Sequence, residues 1–464
     1  MQITSLLQPK DLSMPRRCLF ILVAQLQYGT SILQTMWAKE FAIQGLQLCT
    51  RVILPNTYMD YVPYAVPFFL IAILIELVYG ILKKKNTYRL NDAISSLFMG
   101  TLRTANKLII ISLGGYVFYL IETNNSLWRM DASSPLVWVF AFVVYDLVYY
   151  WFHRISHERQ IFWASHVAHH QSEDYNLSTA LRQTGTGALV TWVFYIPVFL
   201  IGVPSYVFVS VASVNLIYQF WVHSEHIPKL GWYENFFVTA SNHRVHHAQN
   251  ESYIDKNYGG VFIIWDRIFG TYKEEDDAVT PIYGIRGKID TFNPIWANLH
   301  IYVKMFKDIW YAQSWKEKFF VPFAKTGWQP SSLSVSSEKD DFNAATFKKY
   351  NPHVPTKIKF YAFFQLLALS YVGLAILENG ELNYQQLFVT ITMMAFTMYC
   401  TSLWLDGKKG YVMEVTRLAL FLMVGVYAYL EISLAQVAIS LMVYSVINIL
   451  ILPWINRPQA IPEA

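Results

Sequence analysis

The sequence predicts an all-α integral membrane protein, with about nine transmembrane or re-entrant helices and a histidine-rich cap on their cytosolic side. Only 15% of the 464 residues are charged, whereas soluble domains carry about 25%, and 54% are hydrophobic. The apolar residues gather in runs long enough to cross a membrane, and ten of the 12 histidines fall between His153 and His247. This composition argues against a soluble globular protein, a disordered chain and a coiled coil.

Net charge and cysteine content narrow the class further. The formal charge of +4 is small and scattered along the chain, which is untypical of a nucleic-acid-binding protein. The three cysteines, Cys18, Cys49 and Cys400, lie far apart and form neither a disulfide framework nor a CxxC metal motif. The partner that the composition predicts is the lipid bilayer.

The first clear membrane span is the apolar run at 64–82. Nineteen helical residues rise about 28 Å, close to the hydrocarbon thickness of about 30 Å. Lys83, Lys84 and Lys85 follow at once, so the positive-inside tendency puts that end in the cytosol. Glycine and proline interrupt the run at 188–222, which predicts a tight hairpin of two short, re-entrant helices. The remaining predicted segments are 106–122, 136–152, 359–377, 387–405, 416–431 and 433–453.

The predicted spans divide the chain into four regions. Alternate crossings from the lysine cluster place Lys408, Lys409, Arg457 and every histidine-bearing segment on the same, cytosolic side. The polar segment 331–343 is the best candidate for a linker. The regions are an N-terminal interfacial segment (1–63), a membrane domain that carries the histidines (64–275), a cytosolic connecting region (276–357) and a C-terminal four-helix transmembrane region (358–464).

Three histidine motifs carry the chemistry. An HxxxH motif is followed by two HxxHH motifs, and residues three or four apart on a helix share one face, so two imidazoles can reach one metal ion. In HxxHH the third histidine is turned about 100° from its neighbour and can address a second metal or the far side of the first. Eight histidines exceed the needs of one tetrahedral ion, so a di-metal centre is the simplest arrangement, and nitrogen-only ligands suit iron, copper or zinc. The motif histidines are His153, His157, His166, His169, His170, His243, His246 and His247.

The other histidines have weaker signals. His223 continues a polar stripe with Asn215 and Gln219 along an otherwise apolar helix, so we expect it to face the interior as a ninth ligand. His226 precedes a proline in a predicted turn, where it is either a ligand or a hydrogen-bonded loop residue. The remaining two, His300 and His353, are expected at the surface.

Polar groups near the motifs are candidates to support the metal ligands. A ligating imidazole usually donates its second N–H to a carboxylate or carbonyl oxygen. Asp146 lies two helical turns before His153 inside an apolar run, so we expect it to orient a ligand. Glu158, Glu225 and Asn242 each adjoin a histidine in the chain and are expected to support a ligand or contact a cofactor.

The motifs resemble those of a known superfamily. The stretches DLVYYWFHRISH, HVAHH and NHRVHH are similar to the eight-histidine motif of the membrane fatty-acid hydroxylases, integral di-iron hydroxylases and desaturases of lipids and sterols. The longer stretches SEDYNLSTALRQ, IDKNYGGVFIIWDRIFGTY and YQFWVHSE resemble the ether-lipid-cleaving branch of that superfamily, which uses tetrahydrobiopterin. The resemblance implies that the eight motif histidines are the di-iron ligands.

The same resemblance implies a reaction and a location. It implies O₂-dependent hydroxylation of the ether-linked carbon of alkylglycerols or lyso ether lipids, giving a hemiacetal that breaks down to a fatty aldehyde and a glycerol derivative. Two iron ions, tetrahydrobiopterin and O₂ would take part, in a multi-pass protein of the endoplasmic reticulum membrane with a cytosolic active site. Glu158 and the segment 172–183 are the positional candidates for the pterin contact.

Two alternatives remain open at this point. One is a sterol or fatty-acyl hydroxylase or desaturase of the same superfamily that takes electrons from cytochrome b5. The other, from a different class, is a metal transporter or a histidine-ligated haem protein. A transporter places its ligands near the bilayer midplane, whereas these motifs lie at the ends of spans and in the following loops.

Overall fold

The computed structural model describes residues 60–333, 342–379, 384–431 and 435–456. The predicted interfacial segment 1–63 and the linker 331–343 therefore lie mostly outside the described residues. Within those residues the chain is helical, and β-structure is confined to three isolated bridges. The α-helices are α1 (Val62–Leu82), α2 (Leu90–Asn124), α3 (Pro135–Glu158), α4 (Gln160–Ala164), α5 (Val167–His170), α6 (Leu177–Ala180), α7 (Ile196–Leu200), α8 (Ser205–Trp221), α9 (Ala240–His247), α10 (Ile264–Ile268), α11 (Pro294–Tyr311), α12 (Trp315–Phe320), α13 (Thr356–Asn379), α14 (Tyr384–Leu405), α15 (Tyr411–Glu431) and α16 (Ala435–Asn456).

Among the described residues, five helices are long and apolar enough to cross a membrane, which confirms the all-α membrane class. They coincide with five of the nine predicted segments, and the other four segments fall within α2, the hairpin and α13. Both arms of the hairpin, Thr191–Leu200 and the 17-residue α8, are shorter than the roughly 20 residues that a crossing requires. The total of nine and the cytosolic orientation stay predictions. The five candidate spans are α1, α3, Gln385–Leu405, Tyr411–Leu430 and α16.

The first of two compact units contains the predicted hairpin turn. Gly202 has a φ of +93°, and a Cβ at this position would lie 1.9 Å from the carbonyl oxygen of Trp128, so the turn requires glycine. The backbone N–H of Gly202 donates to the carbonyl oxygen of Phe199 at 3.0 Å within the turn, and that of Leu127 donates to the carbonyl oxygen of Leu200 at 2.7 Å, which joins the turn to the segment between α2 and α3. The described part of this unit is 60–63, Ile110–Tyr145 and Trp192–Val214.

The second unit contains all the motif histidines and the C-terminal helices. It comprises Tyr64–Ile109, Asp146–Thr191 and the chain from Asn215 onward. Helices α13 and α14 pack against the start of α2 through buried apolar side chains. This contact joins the C-terminal helices to α2, which precedes the helix that carries the first histidine motif. The cluster includes Ile94, Phe98, Leu366, Met394 and Met398.

A buried polar network joins the four C-terminal helices. The guanidinium of Arg417 donates to Glu414 at 2.5 Å, and both side chains are fully buried. Arg417 also donates to the hydroxyls of Thr397 at 3.1 Å and Tyr444 at 2.8 Å. The hydroxyl of Tyr361 donates to Glu414. A charge inside a membrane is costly unless it is paired, and these contacts pair both charges with groups from α13, α14, α15 and α16.

Candidate metal centre

Three helices carry the three histidine motifs. His153 and His157 lie on the last two turns of α3, at the end of a membrane span. The second motif begins at His166, the N-cap of α5, and continues to the end of that helix. The third occupies the second half of α9. The first motif thus lies on span α3 itself, and the other two lie on short helices in the loops that follow.

The structure brings nine histidines together in two buried clusters, each suited to one metal ion. The ligand nitrogens within each cluster lie within 4.8 Å of one another. Each HxxHH motif sends its first and last histidines to one cluster and its middle histidine to the other, because residues i and i+4 share a helix face. His223 joins the smaller cluster. The five-histidine cluster contains His153, His157, His166, His170 and His246, and the four-histidine cluster contains His169, His223, His243 and His247.

The spacing of the ring nitrogens matches that of ligands around one ion. In the four-histidine cluster, the Nε2 atom of His243 lies 3.1 Å from the Nε2 atoms of both His223 and His247. In the five-histidine cluster, the Nε2 atom of His166 lies 3.1 Å from those of His153 and His170. Two nitrogens bound at right angles to an ion, each about 2.1 Å away, are about 3.0 Å apart.

Hydrogen bonds to main-chain carbonyl groups fix the tautomer of four rings. A carbonyl oxygen only accepts, so each Nδ1 carries the proton and each Nε2 carries a free lone pair. In the four-histidine cluster, the Nε2 atoms of His169 and His223 therefore face each other at 3.4 Å with no proton between them. A bound cation relieves this repulsion, so the donor set fits a metal. The four Nδ1 contacts are His153 to Tyr258 (2.8 Å), His169 to Arg182 (3.0 Å), His223 to Gln219 (2.8 Å) and His246 to Lys256 (3.0 Å).

Burial keeps the rings neutral. Desolvation lowers the pKa of every cluster histidine outside span α3, and it lowers that of His169 to about 4. A neutral imidazole is the metal-binding form, since a proton and a metal ion compete for the same lone pair. In addition, the Nε2 atoms of His157 and His246 are buried without a hydrogen-bond partner. Both clusters are therefore ready to bind metal at neutral pH.

Asp146, which we predict to orient a ligand, contacts no cluster histidine directly and acts at one remove, through the backbone that it holds. Its carboxylate is fully buried and accepts four hydrogen bonds, and among the described residues none comes from a histidine. The reason is that the carboxylate pairs with two other elements, α8 and the segment 261–265. The donors are the amide of Asn215 (2.6 Å), the backbone N–H groups of Val261 (2.8 Å) and Phe262 (3.0 Å), and the indole of Trp265 (3.0 Å).

The loop that Asp146 holds supplies one of the carbonyl groups. Asp266 accepts the backbone N–H groups of Tyr258 at 2.7 Å and Gly259 at 2.8 Å, and burial raises the pKa of this carboxyl to about 6. The Tyr258 carbonyl oxygen accepts from His153. Two buried carboxylates therefore fix the backbone that orients a histidine of the five-histidine cluster. The sequence signal for Asp266 is that it is the acidic residue within the apolar stretch IIWDRIF, where an unpaired charge is costly.

The other predicted supporting carboxylates also point away from the rings. Glu158 accepts from Arg154 at 2.8 Å, and its side chain is 37% exposed. Glu225 lies 3.9 Å from the ammonium group of Lys85, and burial raises the pKa of this carboxyl. Neither carboxylate hydrogen-bonds to a cluster histidine in the described part of the chain, so direct ligand support by either is a wrong expectation.

Asn242 acts on the helix and not on the ligands. Its side-chain oxygen accepts the backbone N–H of Thr239 at 3.1 Å, and the Thr239 side chain accepts the backbone N–H of Asn242 in return. This reciprocal arrangement caps α9, whose eight residues end in the third motif. Asn242 therefore supports the ligands of the third motif by holding α9 in place, and its cofactor contact stays a prediction.

The stripe expectation for His223 is confirmed, and three histidines lie outside the clusters. Asn215, Gln219 and His223 are all buried, and the Asn215 side chain binds Asp146. His226 instead lies 3.5 Å from the hydroxyl of Thr87 and packs edge-on against a tyrosine of α1. His353 is exposed as predicted. His300 is half-buried and not at the surface, because its ring turns back onto the carbonyl groups of its own helix α11.

A buried tyrosine missed in the sequence borders the four-histidine cluster. Tyr175 is fully buried and its ring stacks on that of His223, with the centroids 5.7 Å apart. Its hydroxyl donates to the carbonyl oxygen of Val222 at 2.9 Å. Tyr175 lies within the segment 172–183, which we had linked only to the pterin. Its ring contributes to the burial of the cluster.

Comparisons with known proteins agree with the geometry. The family model "Fatty acid hydroxylase" matches residues 138–271, which contain all nine clustered histidines. The chain is 37% identical to the alkylglycerol monooxygenase of Homo sapiens over 80% of this chain and 84% of the relative. It is 33% identical to that of Xenopus tropicalis over 83% and 89% of the two chains. It is 26% identical to the lathosterol oxidase of Homo sapiens, over only 28% and 42%.

No solved structure matches this chain. The identity to the first two relatives extends over most of both chains, well beyond the segment that contains the histidines. The chain belongs to the alkylglycerol monooxygenase family, within the fatty acid hydroxylases.

Proposed function

We propose that this protein hydroxylates the ether-linked carbon of alkylglycerols and lyso ether lipids with O₂. One oxygen atom enters the C–H bond beside the ether oxygen, and the other leaves as water after two electrons and two protons are supplied. The hydroxylated product is a hemiacetal, which breaks down to a fatty aldehyde and a glycerol derivative. The family relationship supports this reaction, and the histidine centre supplies the kind of site that it requires.

We further propose that each histidine cluster holds one iron ion. The facing lone pairs of His169 and His223 carry this proposal, because two unprotonated nitrogens 3.4 Å apart need a cation between them. Nine neutral nitrogens fit iron, copper or zinc, and only a redox-active metal can activate O₂ for C–H hydroxylation. Bound iron would supply that redox chemistry, with tetrahydrobiopterin as the electron donor.

The residues of the chain orient the metal ligands and bury them. Main-chain carbonyl groups hold four imidazole rings in one tautomer and one orientation, so the ligand nitrogens are arranged before a metal arrives. All nine histidines are buried, so the metal ligands are shielded from bulk water. The alkyl chain of an ether lipid lies in the bilayer, and the first motif ends a membrane span, so substrate would reach the centre from the membrane.

We place the protein in the endoplasmic reticulum membrane with the centre facing the cytosol. The lysines at 83–85 and the alternation of nine predicted segments support this orientation. The catalytic domain would be 64–275 and the connecting and C-terminal regions 276–357 and 358–464. Glu158 is the candidate pterin contact, because its partly exposed carboxylate adjoins His157 at the end of α3.

The test is an assay of purified protein with measured iron content. We expect about two iron ions per chain, and O₂-dependent release of fatty aldehyde from an alkylglycerol that requires tetrahydrobiopterin. His246→Ala should abolish product formation, and His226→Ala, at a position outside both clusters, should retain it. Activity that depends on cytochrome b5 and ignores the pterin would assign the protein to sterol or fatty-acyl oxidation. A haem absorption band would refute the di-iron centre.

A further inference from the structure

A row of exposed aromatic side chains runs along α11, α12 and the short helix that follows them. We call residues 294–323 the aromatic platform. Trp310 is 79% exposed, and Trp315 and Phe319 are each 74% exposed. Single exposed apolar residues are normal, but a cluster of this size marks an interaction surface. Its exposed apolar members are Trp296, Leu299, Phe306, Trp310, Tyr311, Trp315, Phe319, Phe320 and Phe323.

The platform is one face of an amphipathic helix whose other face is fixed to the protein. In α11 the buried residues recur at helical spacing, whereas Trp296, Leu299, Phe306 and Trp310 share the exposed side. The buried side contacts α4, which precedes the second histidine motif, and α5, which carries it. The side-chain amide of Gln171 donates to a carbonyl oxygen of α11 at 2.9 Å. The exposed face is therefore a firmly held surface.

Hydrogen bonds attach the platform to the end of a membrane span. Arg159, directly after α3, donates to the carbonyl oxygen of Phe323 at 3.1 Å. The backbone N–H of Gln160 donates to the carbonyl oxygen of Ala324 at 3.0 Å. Since α3 is a candidate span that ends at Glu158, the platform lies at the level where this span leaves the membrane.

The charges beside the aromatic side chains are mainly positive. Residues 294–325 contain five lysines and two carboxylates. Asp308, one of the two, is buried and paired with Lys304 at 2.7 Å. The exposed Lys307 and Lys316 directly follow Phe306 and Trp315. Aromatic side chains with adjacent lysines are typical of segments that lie in the lipid–water interface, where lysine attracts anionic headgroups.

We propose that the aromatic platform lies in the lipid–water interface of the membrane that α3 crosses, with its aromatic side chains among the upper acyl chains and its lysines on anionic headgroups. The continuity with the end of the span and the positive charge favour a bilayer over a protein partner. The platform is a second membrane-binding element, separate from the spans, and this inference does not depend on the reaction. It places the second histidine motif, which packs on α11, next to the membrane surface.

Spin labels can measure the depth of the platform in the whole protein. The background carries Cys18→Ser, Cys49→Ser and Cys400→Ser, and single labels are attached at Trp310→Cys and Phe319→Cys. The control is Glu251→Cys, whose native side chain is 85% exposed in a polar loop. The proteins are placed in nanodiscs of phosphatidylcholine with phosphatidylserine. Collision with O₂, which concentrates in the bilayer, is compared with collision with a water-soluble nickel chelate.

The platform labels should collide several-fold more with O₂ relative to nickel than the Glu251→Cys label. With Lys307→Gln and Lys316→Gln added, or in discs without phosphatidylserine, this ratio should fall, which tests the role of the anionic headgroups. A ratio equal to that of the control would overturn the interfacial position. Labels shielded from both reagents would also overturn it, because they would indicate a protein partner or a second copy. An unchanged ratio without phosphatidylserine would refute the headgroup contact. Unaltered metal content in each labelled protein shows that its fold is intact.

Discussion

Replacing His223 with alanine should remove one metal ion and spare the other. His223 belongs to the four-histidine cluster, where its Nε2 atom lies 3.1 Å from that of His243 and 3.4 Å from that of His169. Its ring is buried, and the Gln219 carbonyl oxygen holds it in the orientation that directs Nε2 into the cluster. His223→Ala leaves this cluster with three ligands and the five-histidine cluster complete.

The size of the effect follows from the number of ligands. Four protein ligands contribute about 10–16 kcal/mol to the binding of a structural metal ion, or roughly 2.5–4 kcal/mol each. Since about 1.4 kcal/mol corresponds to a tenfold change in affinity, the smaller cluster should bind metal about 10²- to 10³-fold more weakly. The larger cluster should bind as before.

The assay is the metal-to-protein ratio by mass spectrometry after dialysis against a graded series of chelator concentrations. The unaltered protein should hold two ions together, whereas His223→Ala should release one ion at a much lower chelator concentration. His226→Ala is the matched control, only three residues away and outside both clusters. Two ions of equal affinity in His223→Ala, or loss of both at the same concentration, would refute the division into two clusters.

Three further predictions concern catalysis, stability and pH. His166→Ala should abolish product formation while the protein stays in the membrane, and His300→Ala should leave turnover within about twofold, as measured by fatty aldehyde release. Asp146→Ala should lower the free energy of unfolding by about 3–5 kcal/mol in a denaturant titration, because four buried donors lose their acceptor; a change below about 1 kcal/mol would contradict the network. Burial lowers the pKa of His169 from 6.5 to about 4, so between these values the unfolded chain takes up a proton that the native ring does not. The metal-free protein should therefore lose about 3 kcal/mol of stability through this ring alone as the pH falls from 6.5 to 4, and a stability that rises on acidification would refute this reasoning.

Local rules were enough to predict the element that carries the first motif and the presence of two metal-binding clusters, but not which histidine belongs to which cluster. The apolar run at 136–152 predicted span α3, because a long apolar stretch has few alternatives to a membrane helix. Helical geometry predicted that each HxxHH motif could serve two metals, but it named the third histidine as the one that turns away, whereas the middle ones, His169 and His246, do so because residues i and i+4 share a helix face.

The supporting contacts could not be predicted, because they depend on residues far apart in the sequence. His153 bonds to a carbonyl group 105 residues later in the chain, and Asp146 binds backbone more than 110 residues away. Side-chain identity gives no signal for a carbonyl oxygen, which every residue has. Helices α5 and α9 are short and rich in histidine, so no apolar period marks them. The prediction that Glu225 and Asn242 support a ligand or contact a cofactor rested on their adjacency to histidines in the chain. Adjacent residues of a chain need not point in the same direction.

The use of main-chain oxygen atoms to hold imidazoles has a consequence for protein engineering. The acceptor for His246 belongs to Lys256, but the bonded atom is backbone, so a different side chain there keeps the same acceptor. Arg182, which supplies the acceptor for His169, is less replaceable, because its buried guanidinium also donates to the carbonyl oxygen of Ala168 at 2.8 Å. In contrast, an insertion or a proline near these residues would change the path of the backbone and rotate the acceptor away from the imidazole. Redesign of substrate preference should therefore tolerate exchanged side chains around the centre far better than altered loop lengths.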